Sequence, residues 1–253
     1  MIRLASLGSG SRGNATLVEA GNALLLVDCG LSLSRVRNGL ERLGHTLEEL
    51  TALLVTHEHS DHIGGVERLA REVGLPVWMS GGTAAQFGRD VPFRWYLFSS
   101  HEPFTCEGVT IRPFPVPHDA REPTQFVIDD GCRRLGILTD AGSVTPHMVA
   151  MLGECDALLL ECNHDTDLLM QGGYPLPLKR RVGGDWGHLS NQQAADLLRR
   201  LECGRLQFVA AAHLSEQNNH PDLAVAALHE VLGDIDRIHV ADQESGLGWL
   251  TIE

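Results

Sequence analysis

Thr56-His57-Glu58-His59-Ser60-Asp61-His62 decides the reading of this chain. Five of its seven residues are of types that bind metal. Leu53-Leu54-Val55, just before it, is an apolar run of the kind that ends a buried strand. Ile63-Gly64-Gly65 follows, and then a helical pattern over residues 66–73. The ligand types therefore fall on a tight turn at the carboxyl end of a strand, where α/β proteins place their sites. His57 and His59 are two apart, so in extended backbone both imidazoles face one cation. Asp61 and His62 come where the chain turns and reach a second cation close by. Imidazole with carboxylate suits Zn, Mn or Fe, whereas Ca and Mg take all-oxygen shells. Two such cations roughly 3.5–4 Å apart can share a water and make it hydroxide at neutral pH.

The pattern HxHxDH resembles the signature of the metallo-β-lactamase superfamily. Within it the chain looks most like the YycJ/WalJ-like branch, which is related to the ribonuclease Z and ribonuclease J phosphodiesterases. Periodicity alone gives a layered α/β protein. The resemblance implies a four-layer αβ/βα sandwich, two facing sheets covered by helices. It also implies which later residues matter. His118 follows a strand over 109–114 and stands where the family supplies a third histidine to the first metal. Asp140 ends the strand in Leu135-Gly136-Ile137-Leu138-Thr139-Asp140. Read alone it is either a helix cap or a ligand; by the resemblance it bridges the two metals. His213 follows a strand over 206–212 and takes the last position. The implied set is His57, His59 and His118 on one divalent ion, Asp61, His62 and His213 on the other, with Asp140 shared. Asp28, at the end of the third strand, is expected to steady a ligand imidazole.

Other positions carry two readings each. Ser9-Gly10-Ser11-Arg12-Gly13-Asn14 is either turn chemistry or a phosphate-facing loop, through its N–H groups, Ser11 and Asn14. Glu161 and His164 end a buried strand and are either surface polar groups or parts of the rim. Lys179-Arg180-Arg181 is a solvated face or a set of phosphate contacts. His188 precedes a helix capped by Ser190 or Asn191, whose dipole lowers its pKa. This stretch resembles the ribonuclease Z element whose histidine assists the leaving oxygen; that role passes to His188, oriented by Glu161 or His164, with Asp61 orienting the hydroxide. Ser215 and Asn218 are candidates to hydrogen-bond substrate. The aromatic stretch 90–105 is a strand edge with core aromatics, or else a wall for stacking substrate.

The 253 residues include 43% hydrophobic residues and 27 glycines, which fits a compact α/β domain rich in turns. The motifs span residues 57 to 213, so a single domain over 1–253 is expected. No apolar run approaches the ~20 residues that span a bilayer, the first residues lack a signal-peptide shape, and the six cysteines are scattered without a CxxC pair. No membrane association and a cytoplasmic location follow as expectations; a homodimer is compatible with these features. The net charge of −13 argues against a broad, non-specific grip on nucleic acid and favours few phosphate contacts.

Helices are expected over 32–44, 66–73, 83–87, 192–201 and 221–232, with 166–189 breaking regular structure. The function expected from the resemblance is metal-dependent phosphodiester hydrolysis on nucleic acid, DNA before RNA, as an exonuclease. The alternative is an ester or thioester hydrolase of the glyoxalase II kind. His188-Leu189-Ser190, His213-Leu214-Ser215 and the basic run resemble the phosphodiesterase branch and favour the first.

Overall fold

A computed structural model describes residues 1–88 and 91–253. Fourteen strands form two seven-stranded sheets. The first contains β1 (Ile2–Gly8), β2 (Ala15–Ala20), β3 (Ala23–Val27), β4 (Ala52–Leu54), β5 (Val77–Met79), β6 (Trp95–Leu97) and β14 (Leu247–Ile252), in the order β14-β1-β2-β3-β4-β5-β6. The second contains β7 (Phe104–Cys106), β8 (Val109–Pro115), β9 (Thr124–Asp129), β10 (Arg134–Leu138), β11 (Ala157–Glu161), β12 (Phe208–Ala212) and β13 (Ile238–Val240), in the order β13-β12-β11-β10-β9-β8-β7. In each sheet a run of four strands is parallel: β3 to β6 in one, β10 to β13 in the other.

Both faces of each sheet are buried, so alternate residues feed different cores. In β12, Phe208, Ala210 and Ala212 point between the sheets, while Val209 and Ala211 meet helices. In β1, Ile2 and Leu4 join the same inter-sheet core, and Ala5 and Leu7 the outer one. The outer core of the first sheet is closed by α1 (Leu33–Arg42) and α3 (Val66–Val73). That of the second is closed by α5 (Pro146–Leu152), α8 (Asn191–Arg200) and α9 (Pro221–Leu232). Two sheets inside two helical layers make the αβ/βα sandwich. Short helices complete the chain: α2 (Ser60–Ile63), α4 (Gly81–Phe87), α6 (Thr166–Gln171) and α7 (Leu176–Val182).

The helices over 66–73 and 221–232 lie where their periodicity puts them. Residues 166–189 do not break regular structure throughout, which corrects the expectation. Asp165 caps α6 by accepting from the Leu168 N–H, and Pro175 and Pro177 preset the backbone that starts α7. The glycines at 172, 173, 183 and 184 mark the ends of these helices, not the absence of helix. In the aromatic stretch 90–105, residue 90 lies outside the described residues. The remainder is packing: Trp78 stacks on Tyr96 and Phe104, and Phe98 meets Phe104 and Phe126 between the sheets. None of these rings lines the cleft described next.

Candidate metal centre

The parallel runs of both sheets end at the same rim. Asp28 follows β3, His57 follows β4, Asp140 follows β10, Glu161 ends β11 and His213 follows β12. The motif loop lies flat on the β3 end because two glycines let it. A Cβ on Gly30 would stand 1.8 Å from the Asp61 carbonyl oxygen, and one on Gly65 would stand 2.1 Å from that of Leu31. The loop is then tied down by Asn14 N–H to Asp61 O (2.8 Å), Cys29 N–H to His62 O (2.8 Å) and Gly65 N–H to Cys29 O (2.7 Å). Asp28 and His213 hold left-handed backbone, φ 61° and 54°, a region that non-glycine residues rarely enter.

All seven expected ligand side chains converge. His57 Nε2 and His118 Nε2 stand 3.1 and 3.2 Å from His59 Nδ1, so three ring nitrogens face one point. His213 Nε2 and His62 Nε2 stand 3.4 and 3.5 Å from Asp61 Oδ2 at a second point. Asp140 sits between: Oδ2 is 3.1 Å from His62 Nε2, and Oδ1 is 3.6 Å from His213 Nε2 and 3.9 Å from His118 Nε2. The other ring nitrogens are held from behind. His62 Nδ1 meets Asp28 Oδ2 at 2.7 Å, His57 Nδ1 meets Thr56 Oγ1 at 2.9 Å, and His118 Nδ1 donates to Gly187 O at 2.9 Å. Such partners fix the tautomer and aim the free nitrogen inward.

The donor set suits divalent cations, and one atom tests the fit. Asp140 Oδ2 is buried and accepts no hydrogen bond, an arrangement that is costly unless a positive charge answers it. Burial pushes the Asp140 carboxyl up, but His213 and His62 beside it hold it well below the usual carboxylate range. Burial, with His62 adjoining, keeps His57 well below the usual histidine value, in the neutral form a metal needs.

His188 lies on the same rim, stacked on His213 with centroids 5.2 Å apart. Its Nδ1 is 2.8 Å from Glu161 Oε1 and 3.2 Å from Asp140 Oδ1. Burial lowers its pKa, yet the Glu161 charge and the contacts to Asp140 and Glu161 raise it to about 10. The helix dipole does not set the direction, as the sequence suggested; the carboxylate underneath does. Burial pushes Glu161 up as well, against His188, which lowers it. The two directions compete for one proton between Oε1 and Nδ1. The carboxylate–imidazolium form prevails because Oε2 also accepts the Ala141 and Leu189 N–H groups, at 2.9 and 3.1 Å, and these donors cannot turn away.

The cleft over these groups is a hollow of 280 Å³ bounded by Ser11, Ser60, Asp61, Asp140, Tyr174, Arg181, His188, His213 and Ser215 among others. Ser11, Ser215 and Arg181 thus lie where substrate contacts were expected. Four residues do not. Asn14 is buried and does not line the cleft; its Nδ2 lies 3.2 Å from His62 Nε2 and 3.4 Å from Asp61 Oδ2, so it meets the inward-facing atoms of the cluster. Asn218 is buried beneath Ser215, its Nδ2 donating to the Ser215 hydroxyl at 3.3 Å. Lys179 turns to the far side of α7, where Nζ donates to Met170 O at 2.5 Å. His164 faces a separate cavity under α6 and α7 and makes no hydrogen bond to His188; Glu161, with Asp140 beside it, orients that ring.

Asn163 was missed. Its Nδ2 lies 3.1 Å from His213 Nδ1 and donates to His213 O at 3.0 Å, so it holds that imidazole. The two-residue alternation of β11 carried the signal: Glu161 and Asn163 share a face, and His164 belongs to the other. Tyr174 was missed for want of any pattern around it.

The comparisons with known proteins follow the same lines. The family described as Beta-lactamase superfamily domain matches residues 24–209. The chain is 35% identical over 238 residues to the exodeoxyribonuclease WalJ of Streptococcus pneumoniae, spanning 91% of this chain and 88% of the relative. It is 33% identical over 247 residues to the exodeoxyribonuclease YycJ of Bacillus anthracis, spanning 93% and 94%. Among solved structures, the metallo-β-lactamase fold protein YhfI from Bacillus subtilis superimposes with a TM-score of 0.78 at 20% identity, over 99% of this chain and 100% of that one.

Proposed function

Since the chain belongs to the metallo-β-lactamase superfamily, and is a metal-dependent hydrolase of the phosphodiesterase kind, we propose that it removes nucleotides from the ends of DNA. The observation that carries this is the placing of His188: an imidazole pinned by Glu161 on the rim of a cleft that His59, Asp61, Asp140 and His213 also line. The relatives named exodeoxyribonucleases, matched along most of their length, support DNA over RNA.

His57, His59 and His118 would hold one divalent cation, and Asp61, His62 and His213 a second, with Asp140 contributing an oxygen to each. Zn, Mn and Fe all suit this set of imidazoles and carboxylates. When bound, such a pair supplies Lewis acidity to the phosphoryl oxygens and acidifies a water. Asp61, on the cleft, would orient an attacking water by accepting its hydrogen bond. Arg181 and the Ser11 and Ser215 hydroxyls bind the non-bridging and flanking oxygens. His188 gives the proton at Nε2 to the departing oxygen, while Glu161 keeps Nδ1 protonated and the ring aimed. Among the described residues no helix is long and apolar enough to cross a membrane, and all six cysteines are free; both accord with work in the cytoplasm.

The test is a panel of bis-nitrophenyl phosphate, a thioester, and labelled DNA and RNA ends, each with added Mn or Zn. DNA ends and the phosphodiester should be cleaved and the thioester spared; the reverse pattern establishes the ester hydrolase instead. His188→Ala should then slow cleavage of DNA far more than of the nitrophenyl diester, whose leaving group needs no proton. Equal losses on both would remove His188 from the acid role.

A further inference from the structure

The hollow over the ligand cluster measures 280 Å³, below the roughly 300–1,000 Å³ of pockets that enclose drug-sized ligands. A single nucleotide is the unit that matches a hollow of this size. Its walls differ in kind. One side is small and polar, made by Ser11, Ser60 and Ser215; the other is made by Tyr174, Val182 and Arg181 from α7 and the turn before it. Arg181 is tethered there to Asp119, whose Oδ2 accepts from Nε at 2.6 Å.

At the other end of α7 stands Trp186, 64% exposed. Of the other three tryptophans, Trp78 and Trp95 pack against the cores and Trp249 lies under Arg3. The backbone that carries Trp186 is rigid. The Gly187 N–H donates to Gly184 O and the His188 N–H to Val182 O, both at 2.8 Å, and Ser143 Oγ donates to Asp185 O at 3.2 Å. A Cβ on Gly142 would stand 2.4 Å from the Asp185 carbonyl carbon, so this turn is pressed against the β10–α5 loop. The next residue but one is His188, and Gly187 O is the acceptor for the ligand His118. An indole left in water on fixed backbone, one residue from a group that touches the cluster, is placed for a flat partner. Of the cationic residues in the last turn of the helix between Tyr174 and Trp186, Arg181 lines the hollow, while Lys179 is tied to Met170 O and Arg180 borders the separate cavity.

We propose that Tyr174 and Trp186 are stacking platforms for successive bases of an unpaired strand end, with Tyr174 under the nucleoside that enters the hollow and Trp186 under a neighbour outside it. Aromatic faces beside a cationic side chain, here Arg181, are a means by which proteins hold single strands without reading their sequence. This rests on the phosphodiesterase reading and names its substrate: a single-stranded terminus, one nucleotide at a time. Tyr174 and Trp186 determine specificity and take no part in the proton transfers.

The experiment is a binding cycle on the metal-loaded full chain, with a short phosphorothioate oligodeoxynucleotide that resists cleavage and the same strand with one abasic residue at each terminus, the neighbouring base being kept. Tryptophan fluorescence reports binding. In wild type the abasic end should bind about tenfold more weakly, the size of one lost stacked base. In Tyr174→Ala the intact end should already be that weak, and abasic substitution should add little; Tyr174→Phe should restore the difference. Trp186→Phe should keep the affinity and abolish most of the quenching. If abasic ends bind as tightly as intact ones, or cost wild type and Tyr174→Ala equally, the proposal is wrong. It is also wrong if Trp186 fluorescence changes with protein concentration alone, which would mark a contact between two copies. Wild type that cleaves neither bis-nitrophenyl phosphate nor DNA overturns the phosphodiesterase reading itself; wild type that cleaves both but ignores the abasic change overturns stacking only.

Discussion

The two sheets bring chemistry to the shared rim in different ways. The first sheet delivers four candidate ligands from one loop, His57 to His62, folded flat over Gly30 and Gly65. The second delivers one residue per strand end, with His118, Asp140, Glu161 and His213 spread over almost a hundred positions. A local loop can be set by its own turns. A dispersed set is set only by strand register, and each member needs its own support from behind, as Glu161 supports His188 and Asn163 supports His213.

This contrast can be broken in order of expected effect. Asp140→Ala removes the carboxylate that stands between the two trios. Turnover should fall to background, and bound metal, read by mass spectrometry, should drop; intact activity in a metal-depleted variant would refute the bridging role. Glu161→Gln keeps the shape and removes the charge beneath His188. A loss of about 10–100-fold in kcat/KM with metal content retained is expected, the usual cost of removing a group that orients a site residue; loss of metal instead would place Glu161 among the ligands. Gly30→Ala tests the compact side. The new methyl meets the Asp61 carbonyl, so the loop must lift, costing about 1–3 kcal/mol in thermal or urea unfolding. Metal affinity should fall with it, and a variant as stable as wild type would show that the loop tolerates displacement.

Asp129→Asn probes the far end of the second sheet and should matter least. Burial raises the Asp129 carboxyl, but the Gly131 N–H and Arg134 lower it further, so its folded pKa is depressed. The stabilisation is present above the unfolded carboxylate value and is lost as pH falls through the folded one. Wild type should therefore melt above the variant at neutral pH, with the gap closing in acid, while metal content stays equal. A gap that does not close would assign the difference to packing.

The same contrast explains what the sequence disclosed. HxHxDH is local, so the residues themselves announced metal chemistry. His118, Asp140 and His213 were legible only through a resemblance in motif order, because nothing around a lone histidine after a strand distinguishes a ligand from a core residue. Asn14 and Asn218 were assigned to substrate from their polarity. Whether an amide points outward or backs a ligand depends on a fold that polarity does not encode. His164 failed for a simpler reason, since strand alternation already separated it from Glu161. The helices α6 and α7 were overlooked because paired glycines and prolines read as disruption when they mark ends, and Tyr174 and Trp186 were passed over with them.

Asp28 and His213, one at the edge of each sheet, both sit in left-handed backbone that a glycine would occupy without cost. Keeping a carboxylate and an imidazole there sets aside roughly a kilocalorie or more at each, and at Asp28 the hydrogen bonds accepted from Thr56 and His62 offset that strain, so the same contacts that aim the cluster also hold its twisted backbone in place.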